Sequence, residues 1–143
     1  MDDYELLDSG DGRKYERFGE FSLVRPCAQA IWRPRRSEKE WMAADASFDR
    51  SHGNRWRTKT PLPPEWVITV AEIRFRLATT DFGHLGIFPE QRDTWVWIGD
   101  RLREFLPKNN NKAAVLNLFA YSGGATIAAA KAGARVCHVD ASK

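Results

Sequence analysis

The segment "LNLFAYSGGATIAAAKAGARVCHVDASK", residues 116–143, carries the strongest structural signal in this chain. It overlaps "AAVLNLFA", an almost continuously apolar run typical of a parallel strand that is covered on both faces. Gly123 and Gly124 then turn the chain, "ATIAAAKA" predicts a short helix that lies close to the sheet, and Gly133 ends that helix. A second strand, "ARVCHVD", follows. This order predicts the first β-α-β unit of a Rossmann-like α/β sheet.

Such a unit binds its ligand outside the carboxyl ends of the strands, near the N-terminus of the helix. Asp140 follows the second strand, 17 residues after Gly123, which suits a carboxylate that accepts hydrogen bonds from two ribose hydroxyls. The loop "AYSGGA" lacks the first and third glycines of the G-x-G-x-x-G pattern that binds a pyrophosphate. It therefore favours S-adenosylmethionine, a nucleoside without phosphate, over a dinucleotide. An ordinary crossover without a ligand is the remaining interpretation.

Upstream of this unit, the period of the apolar residues predicts one helix and one long strand. Trp95, Ile98 and Leu102 share one face of a helix from about Arg92 to Leu106, which Pro107 and "KNNNK" end. The segment "WVITVAEIRFRLATT", residues 66–80, alternates β-branched and aromatic residues with polar ones and predicts a single strand.

The N-terminal part reads as β structure. Residues 4–26 predict small antiparallel strands with tight turns at 9–12 and at Gly19. Residues 26–64 show few periodic signals apart from a short helix around Glu38–Ala46. We therefore expect two domains. A β-rich N-terminal region covers residues 1–80, and the start of a Rossmann-like domain covers residues 81–143.

The net charge of +3 is unevenly distributed, because residues 13–76 carry 14 bases and 8 acids. Two segments in this part, "WRPRRSEKEW" and "RSHGNRWRTK", interleave arginines with tryptophans. The residues concerned are Arg33, Arg35, Arg36, Arg55, Arg57, Trp32, Trp41 and Trp56. Cations beside aromatic faces suit nucleic acid. The alternative is a solvated arginine face and tryptophans that anchor a small β core.

Several kinds of partner are not expected. Cys27 and Cys137 lie 110 positions apart, without a CxxC or a histidine at ligand spacing, so two buried thiols are favoured over a disulfide or a metal site. No apolar run approaches the roughly 20 residues that a membrane span needs. The acidic N-terminus has no secretion signal. These features indicate a cytoplasmic protein without a membrane or metal partner.

The segment "VLNLFAYSGGATIAAAKAGARVCHVDASK" resembles the first cofactor-binding motif and the acidic second motif of class I S-adenosylmethionine-dependent methyltransferases. The nearest resemblance is to the bacterial group that includes enzymes modifying bases of 23S ribosomal RNA. "FGHLGIFPEQ" is similar to the segment that precedes the fold in that group. The resemblance implies an RNA-base methyltransferase with S-adenosylmethionine as cofactor. It also implies that this chain is the N-terminal half, inactive alone.

The same resemblance implies a set of cofactor-binding residues. Those that border the methionine part and the ribose are Phe119, Ala120, Tyr121, Gly123 and Gly124. Asp140 holds the ribose hydroxyls, and Ala141 and Ser142 lie beside the adenine. Phe88 and Gln91 close the site from the preceding segment. For Phe119 and Tyr121, a role as core aromatics is an equal alternative.

One position departs from the pattern of this class. Asn117 stands where many members have Asp or Glu, so an acidic contact to the amino group of the cofactor is missing or supplied elsewhere. In the family, the chemical step depends on a later segment, and no catalytic residue is assigned here. His84, His138 and Cys137 are interpreted as structural because none has a partner at a recognisable spacing.

Two other functions stay open at this stage: a complete, noncatalytic nucleic-acid-binding module, and a fragment of a nicotinamide-dependent oxidoreductase. If the sheet ends at its second strand, its apolar edge is unpaired. We therefore also expect self-association of the chain through that edge.

Overall fold

The computed structural model describes residues 2–50, 53–110 and 112–141. The strands are β1 Tyr4–Gly10, β2 Arg13–Phe18, β3 Phe21–Pro26, β4 Ala46–Asp49, β5 Arg55–Thr58, β6 Trp66–Val70, β7 Ile73–Leu77, β8 Ala114–Leu118 and β9 Arg135–Val139. The helices are α1 Glu38–Met42, α2 Arg92–Phe105 and α3 Gly124–Lys131.

The chain forms two compact units. The first contains the residues up to 70 together with 74–86, and the second contains 71–73 together with the residues from 87 onward. The division at 80/81 expected from the sequence remains a prediction about domains.

The first unit is built on a five-stranded sheet with the order β1-β2-β3-β4-β5. The predicted meander is confirmed, because β1, β2 and β3 pair antiparallel. Strands β4 and β5 were not expected from the sequence. β4 pairs parallel to β3, with Leu23 opposite Ala46, and β5 returns antiparallel. The charged, tryptophan-rich segment therefore completes this sheet.

The interior of this sheet combines apolar side chains with one buried ion pair. Phe18 and Leu23 are fully buried, and the Arg25 guanidinium donates two hydrogen bonds to the Glu16 carboxylate, at 2.8 and 3.0 Å. A buried charge is tolerated when it is paired and hydrogen-bonded. The pair fixes β2 against β3 because Glu16 and Arg25 lie on those two strands.

The prediction of a single strand over residues 66–80 is wrong, because this segment is the β6-β7 hairpin. Ala71 and Glu72 form its turn, both with positive φ, at 50° and 60°. Two left-handed residues make a turn whose twist matches that of the flanking strands. The alternation persists in β7, where Ile73, Phe75 and Leu77 are buried.

The second unit contains the predicted β-α-β arrangement. β8 and β9 pair parallel, with Leu116 opposite Cys137, and α3 connects them. α2 coincides with the predicted helix, and a 3₁₀ turn over Leu106–Asn109 follows it. None of the helices in residues 2–50, 53–110 and 112–141 combines the length and hydropathy required to cross a bilayer.

Two burial predictions for this unit are wrong. β8 was expected to be covered on both faces, but Ala114, Leu116 and Leu118 are exposed while the residues between them are half-buried. Cys137, expected to be a buried thiol, is exposed, and Cys27 is half-buried; both are free. Cys137 is exposed because it lies opposite Leu116, on the face of the sheet that is open in the described residues.

Candidate cofactor site

The loop between β8 and α3 has an unusual backbone. Phe119 and Tyr121 are left-handed, with φ of 56° and 50°, and Gly123 has φ of 89°. A left-handed residue other than glycine costs about 1–3 kcal/mol and persists only where the surrounding structure imposes it. Here the Ala120 N–H donates to the Val139 carbonyl at 3.1 Å, and the Gly123 N–H donates to the Ala120 carbonyl at 2.9 Å. These bonds hold the loop against the end of β9.

Asp140 ties the two strand ends together. One oxygen of its carboxylate, Oδ2, accepts a hydrogen bond from the Tyr121 N–H at 2.7 Å, and the residue is half-buried. A hydrogen bond to a carboxylate is stronger than one between neutral groups. The acid therefore lies at the glycine turn. That it holds a ribose remains a prediction.

Aromatic side chains border the same loop. The rings of Phe88 and Tyr121 are 4.5 Å apart between centroids and tilted by 36°, so the predicted preceding segment does reach the turn. Phe119 is 91% exposed, which makes the alternative of a core aromatic wrong for this residue. Phe119 thus combines a left-handed backbone with a side chain turned to solvent.

The other predicted site residues are placed as follows. Gln91 ends the 3₁₀ turn that begins at Pro89 and immediately precedes α2. Ala120 is buried, whereas Gln91 and Ala141 are exposed. Ser142 lies outside the described residues.

Gly124 has a packing role that sequence reasoning missed. A β-carbon at this position would lie 2.6 Å from two ring carbons of Trp95, closer than real contacts allow. Because Trp95 is a buried residue of α2, the glycine lets the first turn of α3 lie directly against that helix. Gly123, in contrast, is needed for its left-handed backbone.

The carboxamide of Asn117 points to α3. Its Nδ2 donates to the hydroxyl oxygen of Thr126 at 2.9 Å, and that oxygen lies 2.9 Å from Nδ1 of His138. The three side chains connect β8, α3 and β9, which gives His138 a structural partner. Sequence reasoning did not find Thr126, although Asn117 and His138 occupy paired positions of parallel strands.

The tryptophans of the basic segment are mainly structural. Trp41 is 2% exposed, and its indole N–H donates to the Asp8 carboxylate at 3.1 Å, so its predicted role in stacking on nucleic acid is wrong. The Trp32 indole N–H donates to the Ser9 carbonyl and the Arg36 guanidinium to the Leu7 carbonyl. Both bonds satisfy carbonyls of β1, which is an edge strand of the sheet.

Groups of three or more metal-ligating side chains are absent from the part of the chain that the structure describes. The Arg33 and Arg35 side chains lie at the surface.

The β-α-β unit with an acid after its second strand has the architecture of class I S-adenosylmethionine-dependent methyltransferases, and the resemblance to this class is confirmed by solved structures. The chain is similar over 99% of its length to the S-adenosylmethionine-dependent methyltransferase from Agrobacterium tumefaciens, with 42% identity and a TM-score of 0.87. No family model and no curated protein matches it.

Two further solved structures share the fold at 21% identity and a TM-score of 0.66. One is a Streptococcus mutans protein assigned to the S-adenosylmethionine-dependent methyltransferases. The other is a protein assigned as a methyltransferase, in complex with S-adenosylhomocysteine. This chain covers 44% of the Agrobacterium protein and 40% and 39% of the other two.

Proposed function

We propose that this chain provides part of the S-adenosylmethionine site of a methyltransferase that acts on an RNA base. The observation that carries the proposal is the contact of the Asp140 carboxylate with the Tyr121 N–H at the glycine turn. It puts an acid beside the N-terminus of α3, where β-α-β units take their ligands. The 42% identity to the Agrobacterium enzyme supports S-adenosylmethionine as that ligand.

In this proposal each part of the loop has a separate task. Asp140 accepts hydrogen bonds from the ribose hydroxyls, while its contact with Tyr121 keeps the carboxylate in place. The left-handed backbone at Phe119 and Tyr121 turns the chain so that the cofactor passes close to it. The neighbouring, tilted rings of Phe88 and Tyr121 form an apolar wall. The bound cofactor supplies an electrophilic methyl group, and this chain's residues orient it.

Asn117 is proposed to be a positioning residue. Its Nδ2 is bonded to the Thr126 hydroxyl, and a carboxamide carries no charge to attract an ammonium group. We therefore place the acidic contact to the amino group of the cofactor elsewhere in the protein.

Three further proposals concern the whole protein. The chain spans less than half of each solved relative, so we propose that these 143 residues bind cofactor weakly or not at all and do not transfer methyl groups by themselves. RNA as substrate is supported by the resemblance in sequence and by the basic composition of residues 13–76, which carry 14 bases and 8 acids. A cytoplasmic location fits such a substrate.

We also propose that the isolated chain associates with a second copy through the sheet of the second unit. Leu116 and Leu118 are 62% and 54% exposed and lie on one face of β8, with Val139 of β9 also exposed. Exposed apolar faces and strand edges promote pairing between chains.

A thermal shift assay on the protein that contains this chain tests the cofactor class. S-adenosylhomocysteine is expected to raise the melting temperature, because a ligand that binds only the folded state stabilises it. NADH is expected to leave it unchanged. Stabilisation by NADH alone would favour the oxidoreductase alternative, and no response to either would favour a noncatalytic module.

A further inference from the structure

One face of the first unit's sheet carries a row of side chains that the cofactor site does not use. Tyr15, Val24, Ser47 and Arg57 are successive register partners across β2, β3, β4 and β5. Paired residues point to the same face of a sheet, as do residues two apart on one strand. Arg13 of β2 and Arg55 of β5 therefore share this face. We name the surface formed by Arg13, Arg50, Arg55 and Arg57 the arginine face.

The arginine face borders a groove. Two cavities of about 340 and 440 Å³ adjoin, and both are lined by Arg13, Val24 and Ser47. The first cavity continues to Arg57 and the second to Arg50. Because the two cavities share these three lining residues, they are neighbouring parts of one depression on this face.

The charge of this surface is predominantly positive. Glu38 lies 3.3 Å from Arg13, and Asp49 lies 3.6 Å from Arg57. Arg50 and Arg55 have no carboxylate in ion-pair contact within the described residues. The Arg57 side chain remains 65% exposed despite its contact with Asp49. Four guanidinium groups thus face two carboxylates.

One of the four cations is held in a fixed position. The Arg13 guanidinium lies 4.8 Å above the ring of Trp41, which is itself buried. Stacking on an aromatic face orders a guanidinium group while leaving its donors available. Lys59 is not counted, because its ammonium group donates to the Met42 carbonyl at the end of α1.

The kind of partner follows from these groups. Planar guanidinium groups bind phosphate through two parallel hydrogen bonds. Trp41 is buried beneath Arg13, and Trp56 packs on Phe48, with ring centroids 5.3 Å apart, on the opposite face of the sheet. Among the described residues, this face therefore offers donors for a phosphate backbone without an exposed aromatic platform for the bases. We propose that the arginine face binds the backbone of single-stranded RNA with little sequence preference. That the nucleic acid is RNA rests on the proposed function.

Fluorescence anisotropy tests this proposal. The 143-residue chain is titrated against a labelled 12-nucleotide RNA of mixed sequence, and the titration is repeated at KCl concentrations from about 50 to 300 mM. Each phosphate contact to a single strand contributes about −0.7 to the slope of log K against log salt, so four contacts give about −2.8. Arg55→Gln/Arg57→Gln is expected to halve this slope and to weaken binding at least about fivefold near 100 mM salt.

The matched control is Arg101→Gln/Arg103→Gln. These two arginines are exposed on α2 of the second unit, each paired with an acid three residues away, and their removal is expected to leave the slope unchanged. Melting temperatures of both variants verify folding, and Arg50→Gln serves as a second probe of the face. A slope near zero, equal losses in the control, or stronger competition by polyglutamate than by RNA would overturn the proposal.

The experiment contains no cofactor. Its failure would therefore leave the methyltransferase assignment intact, and a failure of S-adenosylhomocysteine binding would leave the RNA result intact.

Discussion

The α-carbon of Gly124 faces the indole of Trp95 so closely that a β-carbon would lie 2.6 Å from its ring. This contact joins the first turn of α3 to α2 and thereby fixes the position of the glycine turn. A glycine in the turn of a nucleotide-binding unit is usually explained by its ligand. In this chain Gly124 is required for packing between two helices.

We expect Gly124→Ala to destabilise the second unit by about 1–3 kcal/mol, the usual cost of adding a methylene to a well-packed core. Gly99→Ala is the control, because Gly99 lies inside α2 and the nearest atoms to a β-carbon there belong to the flexible Arg103 guanidinium, at 3.4 Å. Alanine favours helix over glycine by about 1 kcal/mol, so this variant is expected to be neutral or more stable. Urea denaturation of both variants measures the difference; equal stabilities would contradict the packing role.

The stability of the first unit is expected to depend on pH through Asp8. Burial raises the pKa of the Asp8 carboxyl, but hydrogen bonds from the backbone N–H groups of Arg36, Ser9 and Arg35 and from the Trp41 indole outweigh it, so the pKa lies below its usual value. The pKa of this carboxyl is lower in the folded than in the unfolded state. Its contribution to stability is therefore complete at pH values above the unfolded-state pKa. That stabilisation is lost as pH falls through the folded value, below about pH 4.

Asp8→Asn is expected to lower the free energy of unfolding by about 1–3 kcal/mol at neutral pH, because buried donors are left poorly satisfied. The stability of this variant is also expected to fall less steeply than that of the wild type as the pH is lowered. Asp45 contributes to the remaining slope, since hydrogen bonds from Ser22 and Thr60 lower its pKa despite burial. Asp100→Asn, at an exposed ion pair with Arg103, serves as control. Melting curves between pH 2 and 7 that are parallel for wild type and Asp8→Asn would exclude this role of Asp8.

Parts of this fold can be predicted from local patterns. The helical period of the apolar residues predicts α2, and the apolar run followed by a glycine turn predicts the β8-α3-β9 unit. Both signals lie within the segment that they predict. The β6-β7 hairpin is not predictable in the same way. Its turn consists of Ala71 and Glu72, neither of which is a residue that favours a left-handed backbone, and the alternation continues on both sides.

Burial is harder to predict, because it depends on residues far apart in sequence. Trp41 lies in a charged segment, yet its ring is buried beside Tyr15 and Val24, and its N–H meets Asp8. Cys137 belongs to an apolar strand and is exposed. For the candidate site, the position of Asp140 follows from spacing, whereas the contact between Gly124 and Trp95 and the Thr126 bridge appear only in three dimensions.

Self-association of the isolated chain should depend on the open face of β8. Leu116→Lys/Leu118→Lys is expected to shift sedimentation toward the monomer, because like charges on that face repel a second copy. Leu6→Lys, at a 52% exposed leucine of the first unit, is expected to have no effect. A wild-type chain that sediments as a monomer throughout would contradict the proposal.

The central claim is that the Asp140 carboxylate binds the ribose of the cofactor. Asp140→Asn keeps one side-chain oxygen that can accept from the Tyr121 N–H. It removes the negative charge and replaces the second oxygen with an amide group that cannot accept a hydrogen bond. Asp100→Asn, at an exposed position on α2, provides the matched control.

Calorimetric titration of S-adenosylhomocysteine into the protein that contains this chain compares these variants with the wild type. We predict a loss of affinity of at least about tenfold, the equivalent of 1.4 kcal/mol, for Asp140→Asn and no change for Asp100→Asn. Unchanged affinity in a correctly folded Asp140→Asn variant would contradict the account.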